Sequence, residues 1–334
     1  MMKQYDDIII GFGKGGKTLA AELARQGHKV AMIERSDKMY GGTCINIGCI
    51  PTKTLVHAAK LAPHGVSWTD QKNYYAQAIR QKEDVVSLLR QKNYDNLTHH
   101  PNVTVYTGTG SFTAPDKVEV SLSGREKESL QAPRIFINTG AESIIPPIEG
   151  IKGNPHVFTS TSIMELKELP EKLAVIGGGY VGLEFASMYA SFGSKVTVLE
   201  GYPELIGRED RDIAASVQTV LEKKGIAFHL NAKVQFVDGA TVIYEDAVTH
   251  EIHHLEGDAI LLATGRRPNT SGLNLEVAGV KVNERGAIIV DEWLRTTNPA
   301  IRAIGDVKGG LQFTYISLDD YRIIREDLFG AGER

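Results

Sequence analysis

The sequence predicts an α/β fold in which a strand, glycine turn, helix, strand unit occurs twice, and three observations carry that prediction. The opening YDDIIIGFGKGGKTLAAELARQGHKVAMIER passes from a short apolar run through a glycine turn into helical periodicity, and out into a second apolar run. LAVIGGGYVGLEFASMYASFGSKVTVLEG repeats that order later in the chain. With 334 residues, 42% of them apolar, each unit has enough material for a core of its own.

The elements between and after these units follow from local signals. A helix is expected from Pro51, a long periodic stretch runs from about Asp70 to Leu97, and β-like runs follow at Val103 to Tyr106 and Val118 to Leu122. Pro146, Pro147, Pro155 and Pro170 mark the passage into the second unit. Helical periodicity returns at Arg208 to Lys224, and short β-like runs lead to DAILLATGRRPN. The last signals are the strand-like IRAIGDV and a helix from about Tyr315 to Phe329. The expected division is a first domain over 1–155 that resumes at 285–334, with a second domain over 156–284 between the two parts.

Each glycine turn carries a full fingerprint. Gly11, Gly13 and Gly16 satisfy G-x-G-x-x-G, and Glu34 closes the following strand; Gly177, Gly179, Gly182 and Glu200 repeat the pattern at the same offsets. The first glycine allows the tight turn, the second lets backbone approach a pyrophosphate, and the third lets helix and strand pack closely. The helix N-terminus adds positive potential, and the acid suits a ribose hydroxyl. Two Rossmann-like dinucleotide-binding domains are therefore expected, with a hydride or electron relay between two dinucleotides as the leading activity. The charge of Glu200 repels a 2′-phosphate, which favours NADH over NADPH, although Arg208 is close enough in sequence to keep NADPH open.

Composition excludes several classes of partner. The net charge is −4 with both signs interspersed, which offers no electrostatic footprint for nucleic acid or an anionic membrane surface. The chain has no apolar run of spanning length and no signal-peptide pattern, so the expectation is a cytoplasmic protein with small-molecule partners. Among the ten histidines, His99 and His100 beside Pro101, and His253 and His254 in a polar run, read as solvated rather than catalytic or metal-binding.

The only two cysteines, Cys44 and Cys49, lie in GGTCINIGCIPTK. In a regular helix such a pair would have Cα atoms ~8 to 9 Å apart, beyond the span of a disulfide, so pairing needs a bent segment. Gly41, Gly42, Gly48 and Pro51 supply that irregularity. A redox-active disulfide near a helix N-terminus is the leading reading; two buried thiols, or half of a metal site, are the alternatives.

The cysteine motif is followed, over essentially the whole chain, by INTGA (Ile137 to Ala141), GGGYVGLE, ATGRRPN (Ala263 to Asn269) and AIGDV (Ala303 to Val307). In this order they resemble the flavoprotein pyridine nucleotide-disulfide oxidoreductases, the family of glutathione reductase, dihydrolipoamide dehydrogenase and mercuric reductase. MYGGTCINIGCIPTKTLVH together with GGLQFTYISLDDYR is most similar to the reactive chlorine resistance branch. The resemblance implies an enzyme that passes electrons from NAD(P)H through FAD to a metal ion such as copper(II). A disulfide substrate is the alternative, and a flavin-bound redox sensor or an NADH oxidase are further readings.

By resemblance, Gly11, Gly13, Gly16 and Glu34 hold the FAD adenosine half, Asp306 the ribityl chain, and Gly177, Gly179, Gly182 and Glu200 the nicotinamide dinucleotide. Gly42, Thr43, Thr139, Gly140 and Gly265 are further cofactor-binding positions. Cys49 is implied as the charge-transfer thiolate, Cys44 as the exposed interchange thiol, Lys53 and Glu184 as a pair beside the flavin N5, and Tyr180 as the aromatic over the flavin. The family pattern also implies a homodimer built through a C-terminal interface domain of about a hundred residues, which would begin near Arg334 and is missing from the sequence in hand. That domain would bring a His and Glu pair to Cys44.

Overall fold

The computed structural model describes residues 1–122 and 126–330. The chain packs as two units: one from Met1–Ile50, Val85–Glu142 and the chain from Arg267, the other from Pro51–Asp84 and Ser143–Arg266. This packing departs from the expected boundaries in three places: the second unit takes up the chain at Ser143 rather than 156, because Ile151 is buried among Ala174, Ile176 and Val237, and two further segments change sides. Leu55, Ala58, Tyr75 and Ile79 are buried among Leu183, Ala186, Tyr189 and Phe192, so 51–84 belong with the second unit. Leu273, Leu275 and Val280 are buried among Ile8, Ile135 and Ile301, so the first unit resumes at Arg267 rather than 285.

The first unit is organised by an eight-stranded sheet. Asp7–Ile10 pairs in parallel with Val30–Glu34 on one side and Arg134–Ile137 on the other, and Ile301–Ala303 pairs in parallel with Arg134–Ile137. Val103–Ala114 pairs in parallel with Val30–Glu34, then continues antiparallel to Lys117–Leu122. Successive side chains point to opposite faces: Ile8 and Ile10 join Phe112, Val118 and Leu130, whereas Ile9 joins Leu19, Leu23, Leu294 and Ile324. Burial on both faces is why these strands read as unbroken apolar runs.

The second unit repeats the logic with five parallel strands in the order Ala227–His229, Lys195–Leu199, Lys172–Ile176, Ala259–Leu262, Val157–Thr159. Leu173 and Val175 pack under the helix Tyr180–Phe192, and Ala174 and Ile176 face Val237, Val242 and Tyr244 of an antiparallel meander. The expected helix from Pro51 runs as Cys49–Lys60, and the periodic stretch from Asp70 is one 31-residue helix, Trp68–Thr98.

A buried ion pair anchors the first strand. The carboxylate of Asp7 is fully buried, accepts from Arg134 Nε at 2.7 Å and Nη2 at 3.1 Å, and lies 2.7 Å from His28 Nδ1. Asp7→Ala would leave the guanidinium without its carboxylate, and urea unfolding should show a loss of about 3–5 kcal/mol. A loss below about 1 kcal/mol would mean that water takes over the contact.

Candidate active site

The first glycine turn closes on the neighbouring strand. Gly11 has φ +107°, and a Cβ there would lie 2.2 Å from the Asn138 carbonyl oxygen, so both conformation and space demand glycine. Gly13 caps the helix Lys14–Arg25, and a Cβ on Gly16 would meet the Gly11 carbonyl oxygen at 2.7 Å. Glu34 lies behind the turn, accepting from Phe12 N–H at 3.0 Å and Ser36 N–H at 3.3 Å. Burial raises its pKa, and these backbone donors oppose the rise. A carboxylate has about four acceptor sites, so two N–H bonds leave capacity for a ribose hydroxyl.

The second turn is built alike. Gly177 has φ +113°, Gly179 caps Tyr180–Phe192, and Glu200 accepts from Gly178 N–H at 2.6 Å and Tyr202 N–H at 3.1 Å. A Cβ on Gly179 would meet nothing within 4 Å, so the surface at this helix N-terminus is open to a phosphate group. The two turns differ in how firmly they are held. In the first, Gly15 N–H donates to Ser317 Oγ at 3.1 Å and Gly16 N–H to Asn138 Oδ1 at 2.9 Å. Among the described residues, no side chain does the same for Val181 or Gly182 in the second. A separate cavity in the second unit, lined by Lys172, Lys195, Phe236 and His254, touches the start of the strand Lys172–Ile176. It lies away from the carboxyl ends where such sheets bind nucleotides.

The cysteine segment packs onto the first turn. Gly42 has φ +76°, and a Cβ on it would lie 2.6 Å from Gly13 Cα. Thr43 opens a single helical turn, Thr43–Asn46, that contains Cys44, and Cys49 begins the next helix. The two cysteines stand as thiols in hydrogen-bond contact, and that contact, followed by burial, pushes the Cys44 thiol well up; Thr314 and Lys17 pull it back. The Thr314 hydroxyl lies 3.5 Å from Cys49 Sγ, at the first residue of the helix Thr314–Phe329. Lys17 donates to the Gly41 carbonyl at 3.4 Å and to Asn93 Oδ1, and burial, aided by Lys14, lowers it to about 8.

On the chain alone Cys49 is exposed and Cys44 half-buried. Cys44 lies within the helical turn Thr43–Asn46, and Cys49 is the first residue of the next helix.

In the second unit Lys53 and Glu184 form an ion pair, the lysine side chain being mostly exposed. Tyr180 is also exposed, which rules out a core role, and its hydroxyl donates to Glu209. Gly265, at φ +107°, accepts from Ile144 N–H at 3.0 Å. In the first unit Thr139 Oγ1 donates to the Asn269 carbonyl at 2.7 Å, and Gly140 accepts from Asn269 N–H at 2.9 Å. Asp306 sits in the short helical turn Gly305–Lys308.

Four residues of this site escaped the sequence reading. Asn138, Thr314, Ser317 and Asp320 are short polar side chains whose neighbours lie more than a hundred residues away, or in a turn with no periodicity; only the INTGA context pointed near Asn138. Among the described residues there is no group of three His, Cys, Asp or Glu side chains that could hold a metal.

Two nucleotide turns, with a dithiol packed on the first of them, define the class as a two-dinucleotide redox protein with a cysteine pair. The chain belongs to the pyridine nucleotide-disulphide oxidoreductase family, whose pattern matches residues 5–320. It is therefore an oxidoreductase of an FAD-dependent family that uses pyridine nucleotides. It is 50% identical over 335 residues to the Escherichia coli (strain K12) protein named "Probable pyridine nucleotide-disulfide oxidoreductase RclA", covering 100% of this chain and 73% of that one. The mercuric reductase of Streptomyces lividans is 35% identical, with 99% of this chain and 71% of the relative covered. A solved Cu(II) complex of the HOCl-induced flavoprotein disulfide reductase RclA from Escherichia coli superposes with a TM-score of 0.92 at 49% identity, over 100% of this chain and 73% of that one. The resemblance to that branch is thus borne out.

The contact with Cys49 is the largest cause holding the proton on Cys44, so Cys49→Ser should lower the Cys44 pKa. Iodoacetamide labelling of Cys44 at pH 7, followed by peptide mass, should then be faster than in the reduced wild type by about tenfold or more, one pKa unit being a factor of ten in thiolate. Equal rates would mean that burial alone sets the Cys44 proton.

Proposed function

We propose that the chain carries two electrons from NADH through FAD to the Cys44 and Cys49 pair, and from there to a metal ion such as copper(II). The carrying observation is the cysteine pair itself: two sulfurs in hydrogen-bond contact, on a segment packed against the first glycine turn. Bound FAD would supply the two-electron carrier between nicotinamide and sulfur. Gly11, Gly13, Gly16 and Glu34 are assigned to it because their turn is locked by Asn138 and Ser317, which suits a cofactor that stays bound. Gly177, Gly179, Gly182 and Glu200 are assigned to the exchanging nicotinamide dinucleotide, at the turn left open. Gly42, Thr43, Thr139, Gly140, Gly265 and Asp306 complete the cofactor positions.

In the oxidised form Cys44 and Cys49 share an S–S bond. Two electrons and one proton break it, leaving the proton on Cys44 and the negative charge on Cys49, the order that the raised Cys44 pKa supports. Two copper(II) ions taking one electron each would re-form the bond and release the proton. Soft sulfur suits the copper(I) product. Lys53, steadied by Glu184, contributes a positive charge that suits a reduced flavin, and Tyr180 is free of the core and able to move as nicotinamide enters. A low-molecular-weight disulfide is the second reading for the acceptor, favoured by the same dithiol. A homodimer and a cytoplasmic setting accompany this reading; among the described residues no helix is long and apolar enough to cross a membrane.

The test is an anaerobic NADH titration of the flavin-loaded chain, with Cys44→Ser and Cys49→Ser in parallel. The wild type should develop a long-wavelength band from a thiolate against oxidised flavin, and Cys49→Ser should lack it. Copper(II) reduction should fall at least about a hundredfold in both variants, as expected when one member of a covalent relay is removed. Undiminished copper reduction by Cys44→Ser would defeat the relay and leave the flavin as the direct donor. Glu200→Ala should cost about tenfold in the preference for NADH over NADPH, measured as the ratio of kcat/KM, because a charge-assisted bond to the ribose is lost.

A further inference from the structure

The helix Thr314–Phe329 buries an unusual set of side chains. Its buried positions are Ser317, Asp320 and Ile324, so two polar residues occupy a face that in an ordinary sheet-packed helix would be apolar. Burying polar groups is costly unless each finds a partner, and here each does. Ser317, 7% exposed, accepts from Gly15 N–H at 3.1 Å. Asp320, 4% exposed, accepts from Gly305 N–H at 2.7 Å and lies 3.4 Å from Lys308 Nζ. Thr314, one turn before Ser317, lies 3.5 Å from Cys49 Sγ.

Spacing of three residues places Thr314, Ser317 and Asp320 along one edge of the helix. Each meets a different part of the first unit: the cysteine pair, the first glycine turn, and the turn Gly305–Lys308 that carries Asp306. The contacts are close. A Cβ on Gly15 would lie 2.6 Å from the Ser317 carbonyl oxygen and 2.4 Å from Ile304, and one on Gly305 would lie 2.9 Å from Ser317 Oγ. Both turns therefore need glycine where they meet the helix.

We propose that Ser317 and Asp320 are positioning residues that set the FAD-binding turns in register with the cysteine pair, using the helix as a common ruler. This rests on the reading above that the Gly11 turn and Asp306 hold FAD. Ser317 fixes the turn expected to meet the pyrophosphate; Asp320, clamped by Lys308, fixes the turn expected to meet the ribityl chain. Because Thr314 belongs to the same rigid element, a change at Ser317 alters the approach of flavin to Cys49 without touching either cysteine.

The experiment uses the 334-residue chain stripped of flavin and titrated with FAD by fluorescence quenching, then reduced anaerobically at saturating FAD. Ser317→Ala should raise the FAD dissociation constant about tenfold, and Asp320→Ala about a hundredfold, from loss of one neutral and one charge-assisted contact. Asp320→Asn, which keeps an acceptor for Gly305 N–H, should recover most of that loss. At full flavin occupancy Ser317→Ala should also show a weakened or displaced long-wavelength thiolate band, a signal that a merely structural role would leave alone. Wild-type FAD affinity in both alanine variants overturns the inference, and so does weakened affinity with an unchanged band per bound flavin. If Asp320→Ala does not fold, Ser317→Ala and Asp320→Asn decide the matter by the same two readings. A wild-type chain that takes up no FAD overturns the underlying functional reading, and this one with it.

Discussion

The side chain of Asn138 is the contact on which the first unit's site depends. It is buried, its Oδ1 accepts from Gly16 N–H and its Nδ2 donates to the Ile304 carbonyl, while its own N–H donates to Ile10. One amide thereby joins the first strand, the start of the first helix and the end of the last strand. The glycines follow from this. Gly11 and Gly13 leave no room for a Cβ because Asn138 occupies that space, and Gly305 turns just beyond the carbonyl that Asn138 holds. A buried amide with both its ends hydrogen-bonded specifies one arrangement; an apolar residue of similar size would leave two backbone groups, the Gly16 N–H and the Ile304 carbonyl, to find other partners.

With the turn held, the electrostatics of the cysteine segment become intelligible. Cys44 is half-buried in hydrogen-bond contact with Cys49, and it is pulled back by Lys17, itself lowered to about 8 by burial and by Lys14. The pair is asymmetric: the Cys44 thiol is pushed up by its neighbour and by burial, while Cys49 is exposed at the first residue of a helix, beside a threonine hydroxyl at the head of a second helix. Helix N-termini favour negative charge within about one turn, so the geometry leans the charge toward Cys49.

The second unit shows the same strand and turn chemistry with less bracing. Glu200 supports its glycine turn as Glu34 supports the first, yet no counterpart of Asn138 or Ser317 braces the helix start among the described residues. The exposed Tyr180 at that helix start fits the looser turn.

Much of this protein was legible in its sequence because the signals are local. The alternation of Ile8, Ile9 and Ile10 between two cores, the two fingerprints with their acids, and the bent cysteine motif each depend on residues within about thirty positions of one another. The strand Lys127–Gln131 was not legible, since its KESLQ pattern buries only Leu130. The place of residues 51–84 was not legible either: helical periodicity shows that Leu55 and Tyr75 need a cover, but not which core provides it. The sequence by itself determined the two nucleotide turns, the cysteine pair and the family. Tertiary structure alone decided that Asn138, Thr314, Ser317 and Asp320 belong to the site, and that Cys44 rather than Cys49 is the half-buried thiol. A side chain's role there is set by a partner brought near from a distant part of the chain, and burial is a property of the packed whole.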